Sequence, residues 1–423
     1  MNKYLLKDIA KIDISGVDKK IKENEINIKL CNFTDVYNNW AITKGMYDKF
    51  MIATASKNEI ERYKLKRGMI AITKDSETRE DIGMATYIAD SFEDVILGYH
   101  TALIIPDNSK IDSKYLNAYL NFNLARKHFS NSASGSGQRY TLTIDSIGSL
   151  PLYLPSLEIQ RKIGNLLSDI DRKIETNNQI NNNLEELMKT LYQRWFIEFE
   201  FPNEDGKPYK SSGGKFIYSE ELKQNIPTNW KIKKLTDISN FISGFAFSSN
   251  NYTKNGQYKL YTIKNVQDGN IVSIVDNTLN KLPINMPHEC LLKPKDLIMS
   301  LTGNVGRVGL VYENNALLNQ RVLKIVPQKN LCYLYSMYRN DFMKSRCEKI
   351  SSGTSQKNLS PIELGKQKIS YSEIIVEKFE EHNKYLIDTY VNNLIENQKL
   401  TELKEFILPL LMNGQINVDD IEF

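Results

Sequence analysis

The sequence predicts an α+β chain built twice. Two similar globular domains are separated by two long helices that form an antiparallel coiled coil, the halves being related by a pseudo-two-fold internal repeat. Three observations predict this. Short segments recur in the same order about half a chain apart; each copy ends in a helical stretch with heptad spacing; and 423 residues with 41% apolar and 25% charged residues suit two or three folded domains.

The repeat is read from four matched segments. Asp8-Ile-Ala-Lys-Ile-Asp-Ile-Ser-Gly16 echoes Asp237-Ile-Ser-Asn-Phe-Ile-Ser-Gly244, and Leu65-Lys-Arg-Gly-Met-Ile-Ala-Ile72 echoes Leu292-Lys-Pro-Lys-Asp-Leu-Ile-Met299. Leu103-Ile-Ile-Pro106 then matches Lys324-Ile-Val-Pro327, and Ser134-Gly-Ser-Gly-Gln-Arg139 matches Ser352-Gly-Thr-Ser-Gln-Lys357. The offset drifts from 229 to 218, as small loop insertions and deletions would make it.

Within each copy, buried strands are expected at 69–73, 95–97, 103–105, 297–301 and 322–326. A helix is expected over 113–129, with Leu116, Leu120 and Leu124 on one side and Ser113 as its cap, and a counterpart over 331–347. Ser360-Pro361-Ile-Glu363 has the form of a capping box.

In the first long helix, positions 163, 167, 170, 174, 177, 181, 184, 188, 191 and 195 step by four and three, and eight of the ten are apolar. The equivalent seam runs from Phe379 to Leu411 with six apolar residues. Both seams carry Asn at the same two central places, Asn177/Asn181 and Asn393/Asn397. Such a pair either fixes helix register or simply faces solvent. About 40 residues make a rod of roughly 60 Å, whose apolar stripe needs the other rod or a partner to cover it. The Pro-, Gly- and Ser-rich stretch 202–214 reads as the linker between copies.

Charge is unevenly placed. Residues 230–370 carry 20 Lys+Arg against 9 Asp+Glu, whereas 371–423 carry 4 against 11. A basic block beside acidic ones suggests a polyanion partner for the former, the other reading being solvated surface.

Motifs for catalysis are missing: no G-x-x-x-x-G-K-[ST], no G-x-G-x-x-G opening a helix, no G-x-S-x-G and no N-P-P-[FY]. His288-Glu-Cys290 is a metal pair or a turn after Pro287, and no second ligand pair accompanies it. Four scattered cysteines, no apolar run of membrane length and an N-terminus charged from Lys3 predict a cytoplasmic protein. What the copies do offer is polar, basic loops. Gly135, Ser136, Gln138, Arg139 and Tyr140 form one, and Gly353, Thr354, Gln356 and Lys357 the other. Gln can pair with adenine and Arg or Lys with guanine or phosphate, although the same residues would serve as plain surface loops. Thr302, Asn304, Arg307, Gln320 and Arg321 form a second polar group, with Lys74 and Arg79 at the corresponding place in the first copy.

In this layout the chain resembles the specificity subunit of Type I restriction–modification systems. The residues that carry the likeness are the G-[ST]-x-Q-type loops at Gly135 to Gln138 and Gly353 to Gln356, and Leu150-Pro-Leu-Tyr-Leu-Pro-Ser-Leu-Glu-Ile-Gln160 leading into the helix. To these are added Trp195-Phe-Ile-Glu-Phe-Glu-Phe-Pro202 after it, Thr302-Gly-Asn-Val-Gly-Arg-Val-Gly309 and Asn319-Gln-Arg-Val322. The second copy departs from the proline-rich entry, with Lys368-Ile-Ser-Tyr-Ser-Glu373, and the first lacks the T-G-N-x-G-R form.

The resemblance implies target recognition domains at 1–155 and 230–370, spacer helices at 156–200 and 371–423, and a linker at 201–229. Each domain would read half of a bipartite double-stranded DNA site. The helices would set the spacing and dock two methyltransferase subunits, which carry S-adenosylmethionine. Restriction/motor subunits would carry ATP, and this chain would hold no cofactor, metal or catalytic residue. A Type IIG-like or orphan methyltransferase complex, a coiled-coil DNA-binding regulator and an acidic scaffold are the other readings.

Overall fold

The computed structural model describes residues 2–136, 139–269, 275, 277–353 and 356–420. Its backbone falls into two units, Met1–Ile174 with Lys399–Phe423, and Glu175–Gln398.

In the first unit, strand Asn2–Leu5 pairs antiparallel with Pro151–Leu154 and so ties together the ends of the globular part. A five-stranded sheet has the order Ala10–Ile14, Thr101–Pro106, Ile70–Thr73, Ala85–Ile88, Ala41–Ile42. Its inner strands are covered on both faces, which is why they read as continuous apolar runs. Successive side chains point to opposite faces. Ile70, Ile72, Ala102 and Ile104 therefore enter one core with Leu116 and Leu120, and Ala71 and Leu103 enter another with Ile28 and Leu30. Met51–Ala55, Ile26–Cys31 and Val95–Leu97 form a second sheet, its last pair parallel.

The second unit repeats this topology. Lys231–Lys234 pairs with Lys368–Tyr371. Ser239–Ser243, Val322–Pro327, Leu297–Ser300 and Val308–Leu310 make the central sheet in that order. Tyr258–Tyr261 runs parallel to Ala316–Leu318, as Ile26–Cys31 does to Val95–Leu97. The duplication expected from four short echoes is thus present in the core of both sheets, although the first central sheet has a fifth strand, Ala41–Ile42, with no counterpart among the described residues of the second.

The helix expected over 113–129 is two helices, Ser113–Leu120 and Asn123–Ser132. Phe122 adopts an extended backbone between them and is buried in the core. The break rotates the second helix out of phase, so Leu124 is 53% exposed rather than on the buried side. The cap is Asp112, not Ser113: its carboxylate accepts from the backbone N–H groups of Lys114 (3.0 Å) and Tyr115 (2.9 Å), an interaction worth about 0.5–2 kcal/mol. In the second unit Leu331–Arg339 and Asp341–Ile350 break in the same way at Asn340. At Ser360 half of the capping box forms: Oγ accepts from the Glu363 N–H, while the Glu363 carboxylate turns to Lys366.

The long helices are Leu157–Tyr192, continued by a π turn Gln193–Ile197, and Glu373–Met412. The second stops well before 423 because Gly414, at φ 66°, closes it. The Gln415 N–H donates to the Leu410 carbonyl and the Gly414 N–H to Leu411, the bonding of a Schellman cap. Gly164 lets the first helix meet the end of the Ser113–Leu120 helix, since a Cβ there would lie 2.7 Å from both Asp112 Oδ1 and Tyr115 N. The seams are buried as their spacing predicts, but not only against each other. Ile163, Leu167 and Ile170 share the first unit's core with Ile407 and Leu411; Met188 shares the second unit's core with Ile387, Tyr390 and Val391. Each helix segment is part of its unit's globular core, a cover that heptad spacing alone does not reveal.

The linker is folded too. Phe201 stacks on Tyr209 with ring centroids 4.7 Å apart, and Trp230 lies 5.4 Å from Phe201.

Candidate nucleic-acid interface

The same small ladder of bridges recurs in both units. In the first, Asp75 pairs with Thr141, and Thr141 with Ser134. In the second, Thr302 pairs with Asn358, and Asn358 with Ser352. The ladder brings each glycine-containing loop against the end of a central sheet strand. Gly135 (φ 131°) and Gly353 (φ 97°) both occupy the left-handed region, and a Cβ on either would strike a carbonyl, of Arg139 and of Gln356 respectively. Only glycine closes loops of this shape without strain.

In the first unit Arg79 is exposed and its guanidinium lies 4.9 Å from the centre of the Tyr140 ring, a cation–π pairing. Arg139 is exposed beside it in sequence and approaches His100. Lys74 is not a free cation: its Nζ donates to Asp75 Oδ2 at 2.7 Å. Asp75 is buried and also accepts from Thr141 Oγ1 (2.7 Å), with His100 Nδ1 2.6 Å away. Burial by itself would raise the Asp75 carboxyl, but the bonds from Lys74, Thr141 and His100 outweigh it and hold the group below the usual carboxylate range. His100, Arg139, Asp75, Thr78, Tyr37 and Phe33 line a cavity of about 520 Å³.

In the second unit Asn304, Gln320, Arg321, Gln356 and Lys357 are exposed, and Arg307 is half-buried. The backbone gathers them: the Leu301 N–H donates to Arg321 O (2.9 Å), Gly303 N–H to Lys357 O (3.0 Å) and Ser300 N–H to Arg307 O (2.9 Å). Arg307 donates from Nη1 to Gln267 Oε1 at 3.0 Å. Thr302 does not join the surface group; it is buried, and its Oγ1 has no hydrogen-bond partner among the described residues. Gln138, Thr354 and the side chain of Ser136 lie outside the described residues. His288–Cys290 is a 3₁₀ turn with Pro287 at its start. An array of exposed amide and guanidinium donors on a rigid ladder suits contacts to phosphates and base edges.

The four helix asparagines meet one another. Asn177 Nδ2 donates to Asn397 Oδ1 (2.9 Å) and Glu396 Oε2 (2.7 Å), and Asn393 Nδ2 donates to Asn181 Oδ1 (2.9 Å). Asn181 donates in turn to the Tyr390 carbonyl at 3.1 Å. In the first unit Lys404 donates to both oxygens of Asp171, at 2.6 and 2.7 Å. These pairings run antiparallel within each unit.

Two site residues escaped the sequence reading, His100 and Asp75. A signal existed for the first. The match at Leu103 to Pro106 extends backwards without a gap, setting Leu97-Gly-Tyr-His100 against Leu318-Asn-Gln-Arg321.

An α+β fold that occurs twice, with the same polar ladder in each copy, defines a protein of two like domains. The family model for the Type I restriction modification DNA specificity domain matches residues 1–186 and again 227–405, and the chain belongs to that family. The Type I restriction enzyme HindI specificity subunit of Haemophilus influenzae is 23% identical over 395 residues, covering 81% of this chain and 85% of that protein. The MjaIX specificity subunit of Methanocaldococcus jannaschii is 27% identical over 326 residues, 75% and 72% of the two chains. The crystal structure of a Type I restriction–modification S subunit from M. genitalium shares the fold, with a TM-score of 0.59 at 15% identity over 97% of this chain and 95% of that one. The chain is accordingly a DNA-recognition component of a restriction system and not its catalyst. Among the described residues no helix is long and apolar enough to cross a membrane.

Proposed function

We propose that this chain reads a bipartite double-stranded DNA site, one half with the ladder loops of 1–155 and the other with those of 230–370. The observation that supports this is the recurrence of one ladder, with its left-handed glycine and an exposed cation, Arg139 or Lys357, in both copies. The two long helices then set the distance between half-sites, and Asn177, Asn181, Asn393 and Asn397 set their register. Two methyltransferase subunits dock on the chain and bring S-adenosylmethionine; restriction/motor subunits bring ATP; the chain itself binds neither. Its DNA substrate places it in the cytoplasm.

The test is methylome sequencing of a host with and without the gene, in the presence of the cognate methyltransferase subunit. Adenine methylation at a two-part motif is expected only when the chain is present. The purified chain alone is expected to turn over neither S-adenosylmethionine nor ATP. Turnover by the lone chain, or a motif that persists after deletion, contradicts the proposal.

A further inference from the structure

We propose that His100 is a base-reading residue of the first recognition domain, standing where Arg321 stands in the second, and that Asp75 is its positioning residue. The inference rests on the DNA-reading role above.

The two residues are equivalent by three independent measures. In sequence, Leu97 to Pro106 runs against Leu318 to Pro327 at a constant offset of 221, which pairs His100 with Arg321. In topology, each precedes the second strand of its sheet: Thr101–Pro106 lies between Ala10–Ile14 and Ile70–Thr73, and Val322–Pro327 between Ser239–Ser243 and Leu297–Ser300. In backbone geometry, His100 has φ 69° and Arg321 φ 68°. Each also gives its carbonyl to the first residue past the neighbouring strand, to Lys74 N–H and Leu301 N–H, both at 2.9 Å.

A side chain at positive φ is strained, and neither residue is glycine. Two copies that have diverged almost everywhere else both hold a nitrogen-rich side chain in this unfavourable conformation. A structural role would be served better by glycine, which tolerates the angle. What glycine lacks is a side chain to project from the mouth of the ladder.

The surroundings suit a base edge rather than a phosphate, because Glu77 and Asp81 line the cavity as well. The His100 ring lies at the edge of the 520 Å³ cavity with Arg139, whose Nη2 is 2.7 Å from Nδ1 and 3.1 Å from Nε2. Asp75 holds Nδ1 at 2.6 Å and is itself fixed by Lys74 and Thr141. A ring oriented by a buried carboxylate holds its other nitrogen in one defined direction, against Arg139 Nη2 at 3.1 Å, so that His100 meets a base edge when the exposed Arg139 side chain swings aside. Arg321, by contrast, offers a two-pronged fork, the geometry that suits guanine O6 and N7. At the Asp75 position the second copy has Thr302, and an always-charged guanidinium needs no carboxylate to choose its tautomer.

The experiment selects from a randomised double-stranded DNA pool with the full chain bound to its methyltransferase subunit, for wild type, His100→Ala, Asp75→Asn and Arg321→Ala. His100→Ala is expected to relax the preference at a position of one half-site by roughly tenfold or more and to leave the other half unchanged. Asp75→Asn should weaken that same position less, and Arg321→Ala should act on the other half. Retained preference at the other positions of the same half-site reports that the mutated domain is folded, and the untouched half reports that the complex binds. An unchanged first half-site in His100→Ala overturns the proposal, as does a change confined to the half that Arg321→Ala affects. A wild-type chain that selects no sequence at all overturns the DNA-reading role and this assignment with it.

Discussion

Asn177 and Asn397 are joined side chain to side chain across antiparallel helices, Nδ2 to Oδ1 at 2.9 Å, and Asn181 and Asn393 are joined four residues along with the donor on the opposite helix. Within these two pairs each helix donates once and accepts once, and Asn177 to Glu396, Asn181 to the Tyr390 carbonyl and Asn397 to Asn178 add further bonds between the helices. Amides in an apolar stripe find partners at one helix offset and are left unpaired at others, which penalises slippage. A double-mutant cycle on Asn181 and Asn393 should give a coupling of about 0.5–1.5 kcal/mol in denaturant unfolding. Changing both to Leu is expected to leave stability equal or higher while blurring the preferred half-site spacing. Zero coupling would place register control elsewhere.

Gly135 and Gly353 carry the ladder loops in conformations that an L side chain adopts only under strain. Gly353→Ala should cost about 1–3 kcal/mol locally and abolish selection of one half-site. Gly135→Ala should do the same for the other. Each is checked by DNA selection together with thermal unfolding. Retained selection at both halves in both variants would mean that these loops do not face the DNA.

Asp75 ties folding of the first unit to pH. Its folded-state pKa is depressed, so its stabilisation is present above the unfolded value of about 3.9 and disappears as pH falls through the folded one. Asp75→Asn should therefore flatten the acid limb of the unfolding midpoint against pH, below about pH 4, with no matching change near neutrality. Parallel curves for wild type and variant would show that the bonds from Lys74, Thr141 and His100 do not stabilise the fold.

The repeat and the strands were legible because buried strands at 95–97 and 322–326 are short, apolar and bounded by polar turns. The seams were legible because period and burial agree from Ile163 to Met188. The break at Phe122 was not. A buried aromatic looks the same to helical periodicity whether its backbone is helical or extended, and only tertiary packing decides. The candidate loops were visible from Gly, Gln and Arg in sequence. Which of their side chains are free was not: Lys74 is neutralised by its own neighbour Asp75, and Thr302 faces inward. Both depend on how a strand end pairs with a loop some 60 residues later, through contacts such as Asp75 to Thr141 that no local pattern encodes.

The helices should act as a ruler, and the structure shows where to lengthen it. The boundary between units falls between Ile174 and Glu175 on the first long helix and between Gln398 and Lys399 on the second. Asp171 with Lys404 lies on one side of that boundary, and Asn177 with Asn397 on the other. Inserting four residues at both points leaves all of these pairs in register. A lone insertion after Leu184 would instead separate the two asparagine pairs from Glu185, which meets Arg339 in the second unit, both of them buried. Four residues add about 6 Å and about one turn, leaving a residual rotation near 40°. A base pair of B-DNA rises about 3.4 Å and turns roughly 35°. Rotation therefore matches one added base pair, and translation nearly two. The paired insertion should lengthen the preferred spacer by about one to two base pairs and leave both half-site sequences as they were, because neither ladder is touched. Methylome sequencing of the variant beside wild type reads both quantities at once. A retained motif with an unchanged spacer would show that the distance between half-sites is set by something other than these helices.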